Sequence, residues 1–208
     1  GRVAYSFCMC PGGLVVAAGS EPGGVVTNGM SSYARAEANA NSGFMVDVSP
    51  QDYGGTGPLA GIAFQRKWET QAFAVGGGGY RAPVQTIGDF LDGRPTKELG
   101  SVPSSYEPGI TPADLRDCLP PFVVATLREA IPAIERTLRG FALPDAVLVG
   151  VETRSSSPLR ITRDPETHES ISTPGLYPAG EGAGYAGGII SAAVDGMRVA
   201  ETILRRGA

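Results

Sequence analysis

Short apolar segments separated by glycine and proline turns fill the first quarter of the chain. Residues 3–9 and 14–17 are rich in β-branched, aromatic and small apolar side chains, and the turn at 11–13 between them predicts a hairpin. The same composition recurs at 25–27 and 43–48, which predicts a third and a fourth strand. Short strands joined by such turns are typical of an antiparallel sheet.

Helical periodicity follows in longer segments. The first begins near Pro58 and ends at the glycines 76–79, and Glu69 lies off its apolar stripe. The second covers 120–138 and contains Pro132, where we expect a kink or a restart. The apolar stripe of the first helix consists of Phe64, Trp68, Ala72 and Val75.

A third helical segment, 187–206, separates apolar from polar positions into two faces. The face predicted to be buried consists of Ile189, Ala193, Met197, Ala200 and Leu204. The face predicted to be in water consists of Ser191, Asp195, Arg198, Thr202 and Arg205.

The remaining segments complete an α+β pattern. Residues 83–91 are predicted as a short helix and 92–112 as a long loop. Residues 146–151 carry no polar side chain and predict a central strand that is covered on both faces. Residues 159–162 and 176–179 are predicted as two more strands. The predicted fold is therefore α+β, a mainly antiparallel sheet with packed helices.

Composition limits the classes of function. The chain has 208 residues, enough for one large or two small domains, and its net charge of −4 argues against a nucleic-acid or anionic-membrane surface. No apolar run approaches the roughly 20 residues that span a bilayer. Three cysteines do not form a disulfide framework, so we expect a cytoplasmic setting. The chain begins in a strand pattern without a starting Met, so we expect a piece of a longer protein.

The sequence lacks the residues that several common kinds of active or binding site require. The single histidine, His168, lies in a charged turn typical of a solvated side chain, and no Gly-x-Ser-x-Gly or phosphate-loop pattern is found. No Cys-x-x-Cys pair or His-acid cluster predicts a metal. Cys8 and Cys10 share a face of the predicted strand. Buried reduced thiols are favoured there over a redox pair, because a bridge across one residue is strained.

Two segments remain that could carry chemistry. Arg154 offers a charged donor fork in one of them, and Glu181 offers an acceptor for sugar-type hydroxyls in the other. Glycines before the last helix would leave its first N–H groups open to a polar or anionic ligand. The alternatives stay open: a tight connection that needs small residues, and a salt bridge that ties the Arg154 loop.

Five motifs together resemble a family of long bacterial proteins described as FAD-dependent dehydrogenases with unestablished substrates. The motifs are YSFCMCPGG at 5–13, TNGMS at 27–31, FQR at 64–66, ETRSSSP at 152–158 and GEGAGYAGG at 180–188. The similarity covers nearly the whole chain, and the last two motifs are the specific ones.

The resemblance implies a flavin site. In such flavoproteins the acid of the Gly-Asp/Glu pair binds a ribitol hydroxyl, which falls on Glu181, with Gly180 before it. The amides at the start of the following helix face the flavin pyrimidine edge and pyrophosphate. They correspond to Gly187, Gly188 and Ile189. The catalytic residues are unknown, and the candidates are Arg154, Ser155 and Ser156.

One part of the family pattern is absent. The Gly-x-Gly-x-x-Gly turn that holds the ADP half of FAD is not found, and the glycines 76–79 end a helix instead of following a strand. The resemblance therefore implies a substrate-side α+β domain at 1–172. Residues 173–208 would be the last strand and helix of a Rossmann-like FAD-binding layer. The partners would be the missing N-terminal FAD-binding region and a small-molecule substrate.

The expected function is that of a fragment of a flavin-dependent oxidoreductase. FAD is expected in the full-length parent, while the isolated fragment is expected to bind none and to be inactive. The alternative is a non-catalytic ligand-binding or interaction domain. The flavin interpretation requires that Arg154 and Glu181 line one cleft with the amides of Gly187 and Gly188.

Overall fold

The computed structural model describes residues 2–19 and 21–207, which form two units by their internal contacts. Unit 1 consists of the described residues up to Asp52 together with Phe64–Thr153. Unit 2 consists of Tyr53–Ala63 together with the described residues from Arg154 onward. The strands and helices among the described residues confirm the predicted α+β class.

The first sheet of unit 1 is antiparallel and has the strand order β2-β1-β3. β1 covers Ala4–Ala17, β2 covers Thr27–Met30 and β3 covers Asn39–Val46. β1 pairs with β3 from Ala4 to Gly13, and its residues from Leu14 to Ala17 pair with β2. The fourth predicted strand is confirmed as β3, whereas the third predicted strand overlaps β2 only at Thr27.

The predicted hairpin at 11–13 is wrong, because β1 continues through these residues as one strand. Its register against β3 shifts between Phe7 and Cys10 and again between Cys10 and Gly13. Bulges thus absorb the residues that the pattern assigned to a turn. Gly12 has φ +50°, and a Cβ there would lie 1.9 Å from the carbonyl oxygen of Arg35. This glycine serves a close backbone approach inside a strand.

The same bulges separate the environments of the cysteines. Cys8 is exposed with φ +51°, and Cys10 is half-buried, with its Sγ 3.2 Å from the Cys8 carbonyl oxygen that accepts from it. The prediction of a buried thiol is therefore wrong for Cys8. No disulfide joins cysteines among the described residues, and burial raises the pKa of Cys118 to about 12.

The second sheet of unit 1 has the order β5-β4-β6, with β4 in the middle. β4 covers Ala82–Thr86, pairs parallel with β5 (Ile110–Pro112) and antiparallel with β6 (Val147–Val149). All residues of β4 are buried. The strand predicted at 146–151 is confirmed as the shorter β6, but its predicted central position is wrong, because β6 is a half-buried edge strand.

The predicted helix at 83–91 is only partly confirmed. α2 covers Ile87–Asp92, and the residues before it belong to β4. Thr86 marks the change, because its extended backbone ends the strand while its Oγ1 accepts from Asp89 N at 3.2 Å and caps the helix.

The two long helices of the middle of the chain confirm their predicted periodicity. α1 covers Ala60–Val75 and α3 covers Pro121–Glu135, with Pro132 inside α3. α3 ends at Glu135, before the predicted end. The core of unit 1 includes Phe90, Ile131, Ala72, Val124, Leu127 and Leu115.

Glu69 lies off the apolar stripe of α1, which would suggest an exposed side chain, but the structure buries it. It is 2% exposed, and its Oε1 accepts from Thr153 Oγ1 at 2.7 Å. Its carbonyl oxygen accepts from Val25 N at 3.1 Å. A buried carboxylate needs such partners, and these come from residues far away in the sequence.

Unit 2 contains one long helix, α4 (Ile189–Gly207), at the predicted position. The strands predicted at 159–162 and 176–179 are wrong: among the described residues this region has an isolated bridge between Arg163 and Ser170 and is otherwise turns and irregular backbone. The predicted buried face of α4 is wrong, because all five of its residues are exposed. On the face predicted to be in water, Asp195 and Thr202 are half-buried, whereas the other three residues are exposed as predicted. The described residues of unit 2 thus do not show a Rossmann-like layer.

Among the described residues, every helix is too short or too polar to cross a bilayer.

Candidate functional site

The glycine-rich turn before α4 is held by an ion pair between Arg163 and Asp195. The Arg163 NH2 group lies 2.6 Å from Asp195 Oδ1, and NH1 lies 3.0 Å from Oδ2. The two side chains are only 8% and 14% exposed. The pair also binds the backbone of the turn: Arg163 donates to the Pro178 carbonyl at 2.7 Å, and Asp195 Oδ2 accepts from Gly180 N at 2.8 Å. It therefore fixes α4 against the turn.

The aromatic ring of Tyr185 completes this anchor. The Arg163 guanidinium lies 3.8 Å from the ring centroid, and the Tyr185 hydroxyl accepts from Arg163 N at 3.0 Å. On the same ring, the Arg160 guanidinium lies 4.9 Å from the centroid and donates to the Gly184 carbonyl at 2.9 Å. Two arginines on one ring place residues 160–163 alongside residues 184–185.

The charge state of Asp195 follows from these contacts. Hydrogen bonding to Arg163 lowers the pKa of Asp195 to about 2, against the opposing effect of burial. The Gly180 N–H adds to the lowering, and the same hydrogen bond raises the pKa of Arg163. Both groups stay charged across the physiological range. Asp195 was predicted to lie in water, and this prediction is wrong because Arg163 pairs with it.

Some glycines of the turn are required by its backbone. Gly180 and Gly184 have φ +70° and +81°, which a side chain disfavours. A Cβ on Gly184 would lie 2.3 Å from the Leu159 carbonyl oxygen. A Cβ on Gly182 would meet nothing within 4 Å. The alternative of a tight connection that needs small residues therefore holds for Gly180 and Gly184 and not for Gly182.

Glu181 lies at the tip of this turn and is half-buried. Its carbonyl oxygen accepts from Gly184 N at 2.9 Å, and the Gly180 carbonyl accepts from Tyr185 N at 3.0 Å. Within the described part of the chain, no hydrogen bond or ion pair to the Glu181 carboxylate is found. The turn thus fixes the backbone of Glu181 and leaves its carboxylate available as an acceptor.

The start of α4 meets the serine segment. A Cβ on Gly187 would lie 3.5 Å from Ser156 Oγ, so this hydroxyl lies beside the Gly187 backbone. α4 begins at Ile189, which is 87% exposed, and the first N–H groups of a helix have no intrahelical acceptor. The structure therefore brings Ser156 and Gly187 together. Ser155 is half-buried and Arg154 is exposed in the same unit. That Arg154 and Glu181 line one cleft stays a prediction.

Sequence reasoning missed several polar groups that the structure makes prominent. Arg163, Asp195 and Tyr185 are ordinary residues in the sequence pattern, and only the structure shows that they lie together.

Glu152, in unit 1, is a half-buried carboxyl. Its Oε2 lies 3.0 Å from the position that a Cβ on Gly43 would take, and the Phe7 ring lies beside the same position. Burial raises its pKa. Its place at the head of the ETRSSSP motif was the available signal.

We expect Asp195→Asn to destabilise unit 2 by about 3–5 kcal/mol, because it leaves the buried Arg163 charge without its counter-ion. Chemical unfolding, monitored by hydrogen exchange in α4, measures this loss of stability. Glu201→Gln is the matched control on the same helix, since Glu201 pairs with Arg205 at 3.6 Å in water. It should change stability by less than about 0.5 kcal/mol. Equal effects of the two variants would refute the anchor role.

We expect Gly184→Ala to destabilise the turn by about 2 kcal/mol or more, because the added Cβ meets the Leu159 carbonyl at a positive φ. Gly182→Ala, two residues away, should change stability by less than about 0.5 kcal/mol, because its Cβ meets open space. Thermal unfolding of both variants gives the comparison. A Gly182→Ala variant as unstable as Gly184→Ala would contradict the described turn.

We expect the Glu152→Gln variant to gain stability relative to the wild type as the pH rises. The pKa of Glu152 is raised in the folded state. Its contribution to the stability of the wild type is therefore fully present below the unfolded-state pKa of 4.5 and is lost as the pH rises through the folded-state pKa. Urea unfolding of both proteins between acidic and neutral pH measures the difference. Glu135→Gln is the control with the opposite trend, because backbone N–H groups of Ala142 and Gly140 lower the pKa of Glu135. A pH-independent difference for Glu152→Gln would rule out its desolvated environment.

Comparison with known proteins supplies the family. An uncharacterized protein of Clostridium beijerinckii (strain ATCC 51743 / NCIMB 8052) is 54% identical over 205 residues. The alignment covers 99% of this chain and 38% of that protein, so the chain spans well under half the length of this relative. Residues 1–155 match the family model described as FAD-dependent protein, C-terminal domain-like, and the match ends close to the last residue of unit 1, Thr153. Because the matched stretch is 155 of 208 residues, the chain belongs to this family of FAD-dependent proteins.

Proposed function

We propose that this chain is part of a flavin-dependent oxidoreductase and contributes one edge of its FAD site. Membership in a family of FAD-dependent proteins supports the flavin, and the 38% coverage of the relative supports a longer parent. In the parent, an N-terminal region would bind the rest of FAD. Residues 1–172 would form the substrate-side domain, and 173–208 would belong to the FAD-binding domain.

The observation that carries the proposal is the Glu181 carboxylate on an anchored turn. Arg163 and Asp195 hold the backbone just before it, at Pro178 and Gly180, while its carboxylate keeps no partner within the described residues. A fixed acceptor of this kind suits the hydroxyls of the FAD ribitol chain. Glu181 would accept from a ribitol hydroxyl, and Gly180 would set the turn that presents it.

The first amides of α4 would serve the other polar edge of the cofactor. Gly187, Gly188 and Ile189 precede or open the helix, where N–H groups and the helix dipole favour negative charge. In the proposal these amides face the pyrimidine edge and pyrophosphate of FAD and hold negative charge near them. When bound, FAD would supply the two-electron chemistry through its isoalloxazine ring.

Arg154, Ser155 and Ser156 are the candidates for the substrate side of this edge. The position of Ser156 Oγ beside the Gly187 backbone supports their place beside the proposed cofactor amides. Arg154 would orient an anionic or carbonyl group of a small-molecule substrate through its planar donor fork. A non-catalytic ligand-binding or interaction domain is the alternative function, and it requires no flavin at these residues.

We expect Glu181→Ala in the full-length parent to weaken FAD binding by about 10- to 100-fold, because a hydrogen bond to a charged acceptor is worth about 1.5–3 kcal/mol. The flavin absorbance of the purified protein and a fluorescence titration of its apo form with FAD measure the loss. Glu166→Ala is the matched control, since Glu166 is an exposed acid of the same unit. It should leave FAD binding unchanged.

Two results would go against the proposal. A full-length parent that binds no FAD under any condition would favour the non-catalytic alternative. Unchanged FAD affinity in Glu181→Ala would remove Glu181 from the site while leaving the flavin itself in place. The 208-residue fragment alone serves as a further comparison: we expect it to be colourless, and a stoichiometric flavin spectrum would show that it holds the whole site.

A further inference from the structure

α4 exposes its apolar side, and the side that faces inward carries both polar and apolar residues. Facing inward are Ala192 against Gly180, Asp195 on Arg163, the 5%-exposed Val199 and Thr202, whose Oγ1 lies 3.0 Å from His168 Nδ1. Facing outward is the α4 stripe, which we define as Ile189, Ala193, Met197, Ala200 and Leu204. Ile189, Met197 and Leu204 are 87%, 64% and 72% exposed. The stripe is the face that the sequence predicts to be buried, and within unit 2 nothing covers it.

The rest of unit 2 shows the same imbalance. Of the 16 buried apolar residues in the described chain, only Ala183 and Val199 lie in unit 2. Of the 19 exposed large apolar residues, ten lie there. These ten are Leu59, Ile161, Ile171, Leu176, Ile189, Ile190, Val194, Met197, Ile203 and Leu204. A unit with so small a core does not bury enough apolar surface to be stable by itself.

We propose that the α4 stripe is the docking surface for the region of the parent protein that precedes this chain. The stripe alternates large and small residues at helical spacing, so it fits an apolar sheet or helix face that fills the gaps at Ala193 and Ala200. The inference rests on the proposed function in one respect, that the chain is part of a longer polypeptide. It does not depend on FAD.

The choice of occupant follows from the chain length outside the structure. The relative that is 54% identical across almost this whole chain has 62% of its own length outside the alignment (100 − 38). That additional polypeptide is covalently present in every copy, whereas a second copy of this chain must bind from solution. An exposed stripe of this size is a liability unless a partner covers it permanently. The same polypeptide meets that condition.

Methionine oxidation in the full-length parent tests the inference. Met197 lies in the α4 stripe, while Met9 and Met30 lie in unit 1 with 58% and 59% exposure, close to the 64% of Met197. Each oxidation rate is divided by that of the same residue in the urea-unfolded protein. The proposal expects Met197 to react at least about tenfold more slowly than in the unfolded protein, because the docked stripe must open first. Met9 and Met30 report that the oxidant reaches the folded protein.

A Met197 rate within about twofold of the unfolded rate would overturn the inference. Protection of Met197 that disappears on dilution, together with a dimer-to-monomer change in light scattering, would also overturn it in favour of a second copy. The measurement is repeated on flavin-free protein. If Met197 is protected although the parent binds no flavin, the docking surface stands and the flavin function fails. If the parent binds flavin but Met197 is unprotected, the flavin function stands and the docking surface fails.

A pair of neighbouring variants adds an independent measurement. Leu204→Gln, in the stripe, should make α4 of the full-length parent at least about tenfold more sensitive to limited proteolysis, because it weakens docking and populates the open state. Arg205→Gln, beside it and outside the stripe, should stay within about twofold of the wild type. Equal sensitivity of the two variants would overturn the inference.

Discussion

The Arg163–Asp195 ion pair is the interaction on which the arrangement of unit 2 depends. Both side chains are largely removed from water, so each charge needs the other, and neither can turn outward without leaving a buried partner uncompensated. Because Asp195 belongs to α4, the pair fixes how that helix is rotated about its axis. Because Arg163 and Asp195 also bind the backbone at Pro178 and Gly180, the same pair sets the glycine-rich turn. Helix orientation and turn geometry thus have one cause.

Because of this constraint, some groups of the turn hold its structure and others can bind a ligand. Gly180 and Gly184 are needed for positive φ, and the Tyr185 ring contacts two arginines. What remains at the surface is the Glu181 carboxylate and the first amides of α4, an acceptor and a set of donors on one rigid frame. Fixed polar groups of this kind are what a protein contributes to a cofactor whose chemistry is its own.

Local periodicity predicted the elements better than their environments. α1, α3 and α4 follow from apolar spacing alone, and β3 follows from β-branched and aromatic composition. The hairpin at 11–13 failed because bulges also use glycine and proline, and β4 was missed because Pro83 resembles the first turn of a helix. The burial of Glu69 and Asp195 was unpredictable from neighbours in sequence, since Thr153 and Arg163 come from distant segments. At the candidate site, Glu181 and Ser156 followed from motifs, whereas Arg163 left no local signal.

α4, whose predicted buried face is exposed, is also the most informative element. An apolar stripe faces the core only when the chain contains the core, so a stripe that faces water points to polypeptide beyond the residues described. The 38% coverage of the relative and the small core of unit 2 agree with this conclusion. The ion pair fixes α4 from the side that carries Asp195, which leaves the α4 stripe oriented outward. With the proposed partner on that stripe, α4 would join two structural regions, and the glycine-rich turn lies at its start.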